Sequence, residues 1–181
     1  MAVIAIVVLV VLAAAGFVFR RTRSHLVRGK QAPDFVAQAA IGGDVHTFRL
    51  RDALARGPVV LYFFPKSFTS GCTVEAHAFS AAVPQFAAFG ATVVGISGDD
   101  IETQKKFSTQ ECQSAFLVAS DPGLVIGKQY DVALAPNVPN RTSYVIAQDG
   151  TIAEAFTSMF QPQEHVAKTL AAVRELAGRP E

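Results

Sequence analysis

Cysteine is scarce in this chain: 181 residues carry only Cys72 and Cys112. Two widely spaced thiols exclude a disulfide-stapled mini-protein and a four-cysteine zinc site, and leave redox chemistry or burial as their uses. The four histidines stand singly, so no clustered metal-ligand motif is present, and tryptophan is absent altogether. Charge is sparse as well, at 17% of residues, and unevenly placed. Arg20, Arg21, Arg23, Arg28 and Lys30 take five of the 16 basic residues before the first acidic one, which leaves 11 against 15 acidic residues, a net charge of −4, over residues 31–181. That balance lacks the basic face of a nucleic-acid-binding domain, and nucleic acid is not expected as a partner. The length suits one ordinary domain with a core of its own.

What the sequence has in excess is apolar length at its start. Ala2–Phe19 contain no charge, and as a helix rising about 1.5 Å per residue they extend roughly 27 Å, close to the hydrocarbon thickness of a bilayer. No basic residue precedes the run, which favours a retained single span over a cleaved signal, although Ala13-Ala14-Ala15 offers a cleavage site. The five basic residues that follow place the folded part on the cytoplasmic side by the positive-inside rule. The expected organisation is a single-pass membrane protein with a transmembrane anchor at 1–19, a basic juxtamembrane linker at 20–30 and a folded domain at 31–181.

Within the folded part, strand and helix signals alternate. Phe35–Leu50 suits two short strands turned at Gly42-Gly43-Asp44, and Val59–Phe64, apolar on both faces after Pro58, suits a central buried strand. A helix is expected from Ser70 towards Phe89, with Val74, Ala78, Ala82 and Phe86 as its apolar face and a kink at Pro84. Ala91–Ser97 suits a further buried strand, Asp99 or Asp100 the cap of a helix running to about Cys112, and Phe116–Val118 a short strand. A short helix over Pro122–Tyr130, a hairpin of Ser143–Ile146 and Ile152–Phe156 turned at Asp149-Gly150, and a last helix striped by Val166, Leu170 and Val173 complete the series. Strands alternating with helices imply an α/β sandwich around a central sheet.

The chemistry concentrates where the central strand gives way to a helix, at Pro65-Lys66-Ser67-Phe68-Thr69-Ser70-Gly71-Cys72-Thr73-Val74-Glu75. Cys72 falls in the first helical turn, where unpaired backbone N–H groups and the helix dipole favour a thiolate nucleophile. A small buried hydrophobe is the other use of such a cysteine. The spacing Pro65-x3-Thr69-x2-Cys72 resembles the active-site loop of peroxiredoxins, the thiol peroxidases of the alkyl hydroperoxide reductase and thiol-specific antioxidant family. Ala32-Pro33-Asp34-Phe35, Tyr62-Phe63-Phe64-Pro65-Lys66, Val93-Val94-Gly95-Ile96-Ser97, Ser120-Asp121-Pro122 and Arg141-Thr142-Ser143-Tyr144-Val145-Ile146 are similar to further segments of that family, over about residues 31–176. Cys72-Thr73-Val74-Glu75-Ala76 most resembles the peroxiredoxin Q branch, also called bacterioferritin comigratory protein.

The resemblance implies a thioredoxin-like fold, a central mixed β-sheet flanked by helices, here preceded by the single N-terminal transmembrane helix. It implies that Cys72 is the peroxidatic nucleophile, that Thr69 holds its hydroxyl against peroxide and thiolate, and that Pro65 shields the sulfur. Arg141 would stabilise the thiolate and the developing oxyanion, and the product on Cys72 would be a sulfenic acid. The implied substrate is hydrogen peroxide or an organic hydroperoxide, the reductant thioredoxin or another thiol, and the assembly a monomer or homodimer. No metal, haem, flavin or other cofactor is implied.

The pattern breaks in one place. Many peroxiredoxin Q members carry a resolving cysteine five residues after the peroxidatic one, and here that position is His77, expected on the helix surface, which excludes the local disulfide. Cys112 is either the resolving thiol or a buried spectator; as a spectator it leaves the sulfenic acid to an external thiol. Two other functions stand beside the peroxidase. A thiol-disulfide oxidoreductase needs the second cysteine that Cys72-Thr73-Val74-Glu75 lacks, and a non-catalytic, membrane-tethered thioredoxin-fold interaction module predicts no peroxide-dependent thiol consumption. Glu75 fits the family pattern, but an acidic residue in a first helical turn needs no catalytic explanation.

Overall fold

The computed structural model describes residues 26–178. Strands β1 (Val36–Ile41) and β2 (Asp44–Arg49) form an antiparallel hairpin in register Ile41 to Asp44. Gly42 and Gly43 between them both adopt positive φ, 58° and 86°, the left-handed backbone that a two-residue turn requires. Strand β3 (Val59–Phe63) is buried at all five residues. It pairs in parallel with β4 (Thr92–Ser97), which pairs in parallel with β5 (Leu117–Ser120). On its other side β3 runs antiparallel to β8 (Thr142–Ile146), and β8 to β9 (Ile152–Thr157). The result is a mixed seven-stranded sheet in the order β2-β1-β5-β4-β3-β8-β9. A ribbon of β6 (Ala133–Ala135) and β7 (Val138–Pro139), absent from the sequence expectation, stands apart from it.

Alternation along β3 divides the core in two. Val59, Leu61 and Phe63 face one side with Phe35, Tyr130 and Tyr144, under the short helices α1 (Leu50–Leu54) and α4 (Val125–Gln129). Val60 and Tyr62 face the other, with Phe79 and Phe86 of α2 (Ser70–Ala87), Phe107 of α3 (Ile101–Gln110) and Val173 of α5 (Pro162–Ala177). Tyr62 stacks on Phe79 at 4.3 Å between ring centroids, a geometry worth about 1 kcal/mol beyond burial. The observed order of layers is therefore helix, central mixed sheet, helix.

Several expectations are corrected. The buried residues of α2 include Cys72, Glu75, Ala76, Phe79 and Phe86, whereas Val74 is 41% exposed. Of the expected face Ala82 and Phe86 are buried and Ala78 is partly buried, so the four-residue steps from Val74 found only part of the packed face, which also takes in Cys72, Glu75, Ala76 and Phe79. The helix continues past Pro84, where a kink is expected, to Ala87. Helix α3, capped by the Asp100 carboxylate on the Thr103 N–H, stops at Gln110, and Cys112 lies in the following bend with its N–H on the Phe107 carbonyl. Most consequential is the membrane anchor. Among the described residues no helix is long and apolar enough to cross a membrane, which corrects a fold class that put a transmembrane helix before the α/β domain. An uncharged run of bilayer length is a necessary condition for a span and not a sufficient one. The run itself, residues 1–19, and the linker as far as residue 25 lie outside the described residues.

Candidate active site

The sheet brings the expected site residues to one edge. Register pairs Phe63 of β3 with Thr142 of β8, so Arg141 arrives beside the point where the chain leaves β3 for the loop carrying Pro65 and Thr69. That loop delivers Cys72 in the first turn of α2, 1% exposed. Thr69 is the N-cap in extended conformation and makes no side-chain cap, so the first N–H groups of the helix keep their partial positive charge at the end of α2 where Cys72 sits.

Arg141, itself 4% exposed, is held from behind: its backbone N–H donates to Met159 Sδ and its Nε to the Met159 carbonyl, both at 3.3 Å. The fork then divides. Nη2 donates to Cys72 Sγ at 3.4 Å, and Nη1 makes a short contact with Glu75 Oε2. This planar, two-pronged donor set is one that lysine cannot reproduce. Gly71 leaves room for the approach, because a Cβ there would stand 3.2 Å from Arg141 Nη2, a tight contact that would move the guanidinium by a few tenths of an ångström.

The loop is braced by groups that sequence reasoning missed. The Ser67 N–H donates to Asp99 Oδ2 at 2.7 Å, and its hydroxyl to the buried Gln104 amide oxygen at 3.3 Å. Gln104 in turn donates to Ser97 Oγ at 2.7 Å, and Ser97 to Asp99 at 2.8 Å, closing a polar ring between β4, α3 and the loop. Phe68 occupies the left-handed region at φ 63°, which costs about 1–2 kcal/mol, and sets its ring edge-on to Phe107 at 5.3 Å.

Pro65 is half-buried at the head of the loop. Thr69 is exposed, and its hydroxyl donates to the Lys66 carbonyl at 3.0 Å instead of to the sulfur. Cys112 is completely buried; burial pushes its thiol well above the ordinary range, and its carbonyl accepts from the Ser80 hydroxyl at 2.9 Å. Both cysteines are free thiols. His77 is half-exposed on α2, with Nε2 3.1 Å from Glu111 Oε2.

Behind Arg141 lies a buried carboxyl whose importance the sequence left open. Glu75 is fully buried, and burial pushes its carboxyl up to about 8 against the opposing pull of Arg141. His165 of α5, fully buried as well, brings Nδ1 to 3.8 Å from Glu75 Oε1, and burial pushes the imidazole down to about 4. One signal of His165 was available in the sequence: it and Thr169 are polar residues on the packed side of the last helix.

Comparison with known proteins decides what this arrangement belongs to. A family model described as AhpC/TSA family matches residues 28–155. The chain belongs to the AhpC/TSA family. Among its AhpC/TSA relatives is the chloroplastic peroxiredoxin Q of Oryza sativa subsp. japonica, 33% identical over 151 residues, which cover 82% of this chain and 67% of the rice protein. The chloroplastic peroxiredoxin Q of Sedum lineare is 33% identical over 155 residues, 84% of this chain and 81% of its own. The crystal structure of peroxidoxin BcpB from Mycobacterium tuberculosis superposes with a TM-score of 0.77 at 32% identity, covering 86% of this chain and all of that one. As an AhpC/TSA member with these relatives, the chain is a thiol-dependent peroxidase with a thioredoxin-like fold. The expected location, single-pass in a membrane with the catalytic domain on the cytoplasmic side, is corrected together with the anchor it depended on. The plant relatives are named as chloroplastic, a compartment stated of those proteins, and neither they nor the described fold supports a membrane location.

Proposed function

We propose that Cys72 is the peroxidatic thiolate and that Arg141 is the group that makes it one. The single observation carrying this assignment is the 3.4 Å contact from Arg141 Nη2 to the buried Cys72 sulfur at the start of α2. The thiolate attacks the terminal oxygen of hydrogen peroxide or an organic hydroperoxide, forming the S–O bond as the O–O bond breaks. The departing oxygen leaves as hydroxide or alkoxide and takes up one proton, so water or an alcohol is released and Cys72 becomes a sulfenic acid. Arg141 and the N–H groups of the first turn face the charge as it passes from sulfur to the leaving oxygen. Pro65 covers the sulfur against water. Thr69 serves the peroxide by turning its hydroxyl away from the Lys66 carbonyl.

The reductant in this proposal is an external dithiol of the thioredoxin kind. Complete burial of Cys112, a thiol pushed up by that burial, and a backbone tied to Ser80 support a spectator role for this residue. A first thiolate forms a mixed disulfide with Cys72 and releases water; a second displaces it and restores the Cys72 thiol. Intact mass of the reduced full chain after one equivalent of hydrogen peroxide, with and without dimedone, tests this. A dimedone adduct on Cys72 is expected. Loss of two hydrogens without an adduct would assign resolution to Cys112, and an unchanged mass would remove the peroxidase assignment of Cys72.

A further inference from the structure

The β8–β9 ladder changes character one residue beyond its end pair, Thr142 with Thr157. The Ser158 N–H still donates to the Arg141 carbonyl at 3.2 Å, but the Ser158 carbonyl accepts from His165 Nε2 at 2.9 Å. The Arg141 N–H goes instead to a thioether, Met159 Sδ at 3.3 Å, and the Met159 carbonyl accepts from Arg141 Nε at the same distance. One residue therefore holds both the backbone of Arg141 and the base of its fork, while Nη1 and Nη2 reach Glu75 and Cys72. A thioether is a weak acceptor and is itself oxidised by peroxides. Met159 is 36% exposed and Phe160 beside it 94%, so this holding residue is open to the solvent from which the site takes its peroxide. Apart from Met1 it is the only methionine in the chain.

We propose that Met159 is an oxidation site that turns the peroxidase down: when peroxide outruns the thiol reductant, Met159 Sδ takes one oxygen atom from it, and the sulfoxide loosens Arg141 from its place on Cys72. This rests on the assignment of Arg141 as the group that activates Cys72. In the step itself a sulfur lone pair attacks the terminal oxygen, and the S–O bond forms as the O–O bond breaks. The hydrogen on the transferred oxygen passes to the departing one, which leaves as water or an alcohol; the sulfur loses two electrons and the peroxide gains them. An oxygen accepting the Arg141 N–H takes about 2.9 Å for itself, so the sulfur behind it draws back from its present 3.3 Å. The Met159 carbonyl moves with the sulfur, its hold on Nε slackens, and Nη2 loses its alignment on the Cys72 sulfur. The change is reversible, because sulfoxide reductases return the thioether.

The test is the pH midpoint of Cys72 alkylation by iodoacetamide in the full chain, for wild type and M159L, each before and after hydrogen peroxide at a dose that carries half of Cys72 to the sulfinic acid. Dithiothreitol then restores the thiols and leaves a sulfoxide in place. Overoxidised Cys72 does not alkylate and drops out, so the midpoint reports only intact Cys72 beside an oxidised Met159. Peptide mass is expected to show one added oxygen on Met159. The wild-type midpoint is expected to rise by about one pH unit, a roughly tenfold lower reactivity near neutral pH, and to return after treatment with methionine sulfoxide reductases A and B. M159L, compared with its own untreated form, is expected to show no shift. An unmodified Met159, a wild-type midpoint that moves by less than about a third of a unit, or an equal shift in M159L would overturn the proposal. Failure of the Arg141 assignment itself would register separately, as an R141Q protein that alkylates at the wild-type midpoint with no peroxide added.

Discussion

Replacing Glu75 by Gln should change how stability depends on pH in a manner set by two buried groups. In the unfolded chain the carboxyl ionises near its ordinary 4.5, but the folded protein holds that proton up to about 8. The folded state therefore binds more protons across that window, and this contribution to stability is complete below 4.5 and lost as pH rises through 8. His165 acts in the opposite sense: pushed down from 6.5 to about 4, it contributes stability above 6.5 that is lost as pH falls through 4. Between 4.5 and 6.5 the two slopes cancel, and between 6.5 and 8 only Glu75 acts. At about 1.4 kcal/mol per pH unit, that interval of about 1.5 units corresponds to a loss of order 2 kcal/mol in the wild type. Urea unfolding of wild type and E75Q at pH 6.5 and 8.5 measures it, because other titrating groups contribute alike to both proteins. The wild type should lose about 2 kcal/mol more than E75Q on going to the higher pH. Parallel behaviour of the two would refute the buried, protonated carboxyl.

Three further substitutions probe the site and its support. R141K should lower kcat/KM for peroxide by about a hundredfold with the fold intact by circular dichroism, since one ammonium cannot reach both Glu75 and Cys72; activity within threefold of wild type would contradict the two-pronged role. G71A places a methyl 3.2 Å from Arg141 Nη2, so kcat/KM should fall several-fold while the melting temperature holds or rises, Ala being up to about 1 kcal/mol better than Gly in a helix. Y62F removes a buried hydroxyl that has no hydrogen-bond partner among the described residues and leaves its stack on Phe79, so stability should hold or increase by about 1 kcal/mol; a loss of that size would reveal a partner for the hydroxyl.

The parts legible in the sequence were those whose signals are local. Val59–Phe63 announces a doubly buried strand by apolar residues at consecutive positions, the Asp149-Gly150 turn announces the β8–β9 hairpin, and the run from Pro65 to Cys72 carries its spacing within eight residues. Arg141 was reached only through resemblance, and its contact with Cys72 depends on the β3–β8 register, a long-range fact. Glu75 and His165 meet across 90 positions of chain, so each looked ordinary where it stood: an acidic residue in a first turn and a solitary histidine on an amphipathic helix. The packed face of α2 was found only in part, at Ala82 and Phe86, because alanine at many positions blurs periodicity. The anchor rested on composition alone, in residues 1–19 outside the described ones, and no helix among the described residues is long and apolar enough to cross a membrane.

The central claim is that one sulfur, Cys72, carries the reaction and that Cys112 is dispensable to it. Peroxide consumption by the full chain with thioredoxin, thioredoxin reductase and NADPH, followed at 340 nm for C72S and C112S, tests it most directly. The account predicts no turnover above background for C72S and turnover within about twofold of wild type for C112S. Turnover by C72S, or loss of it in C112S with the fold preserved, would contradict the account.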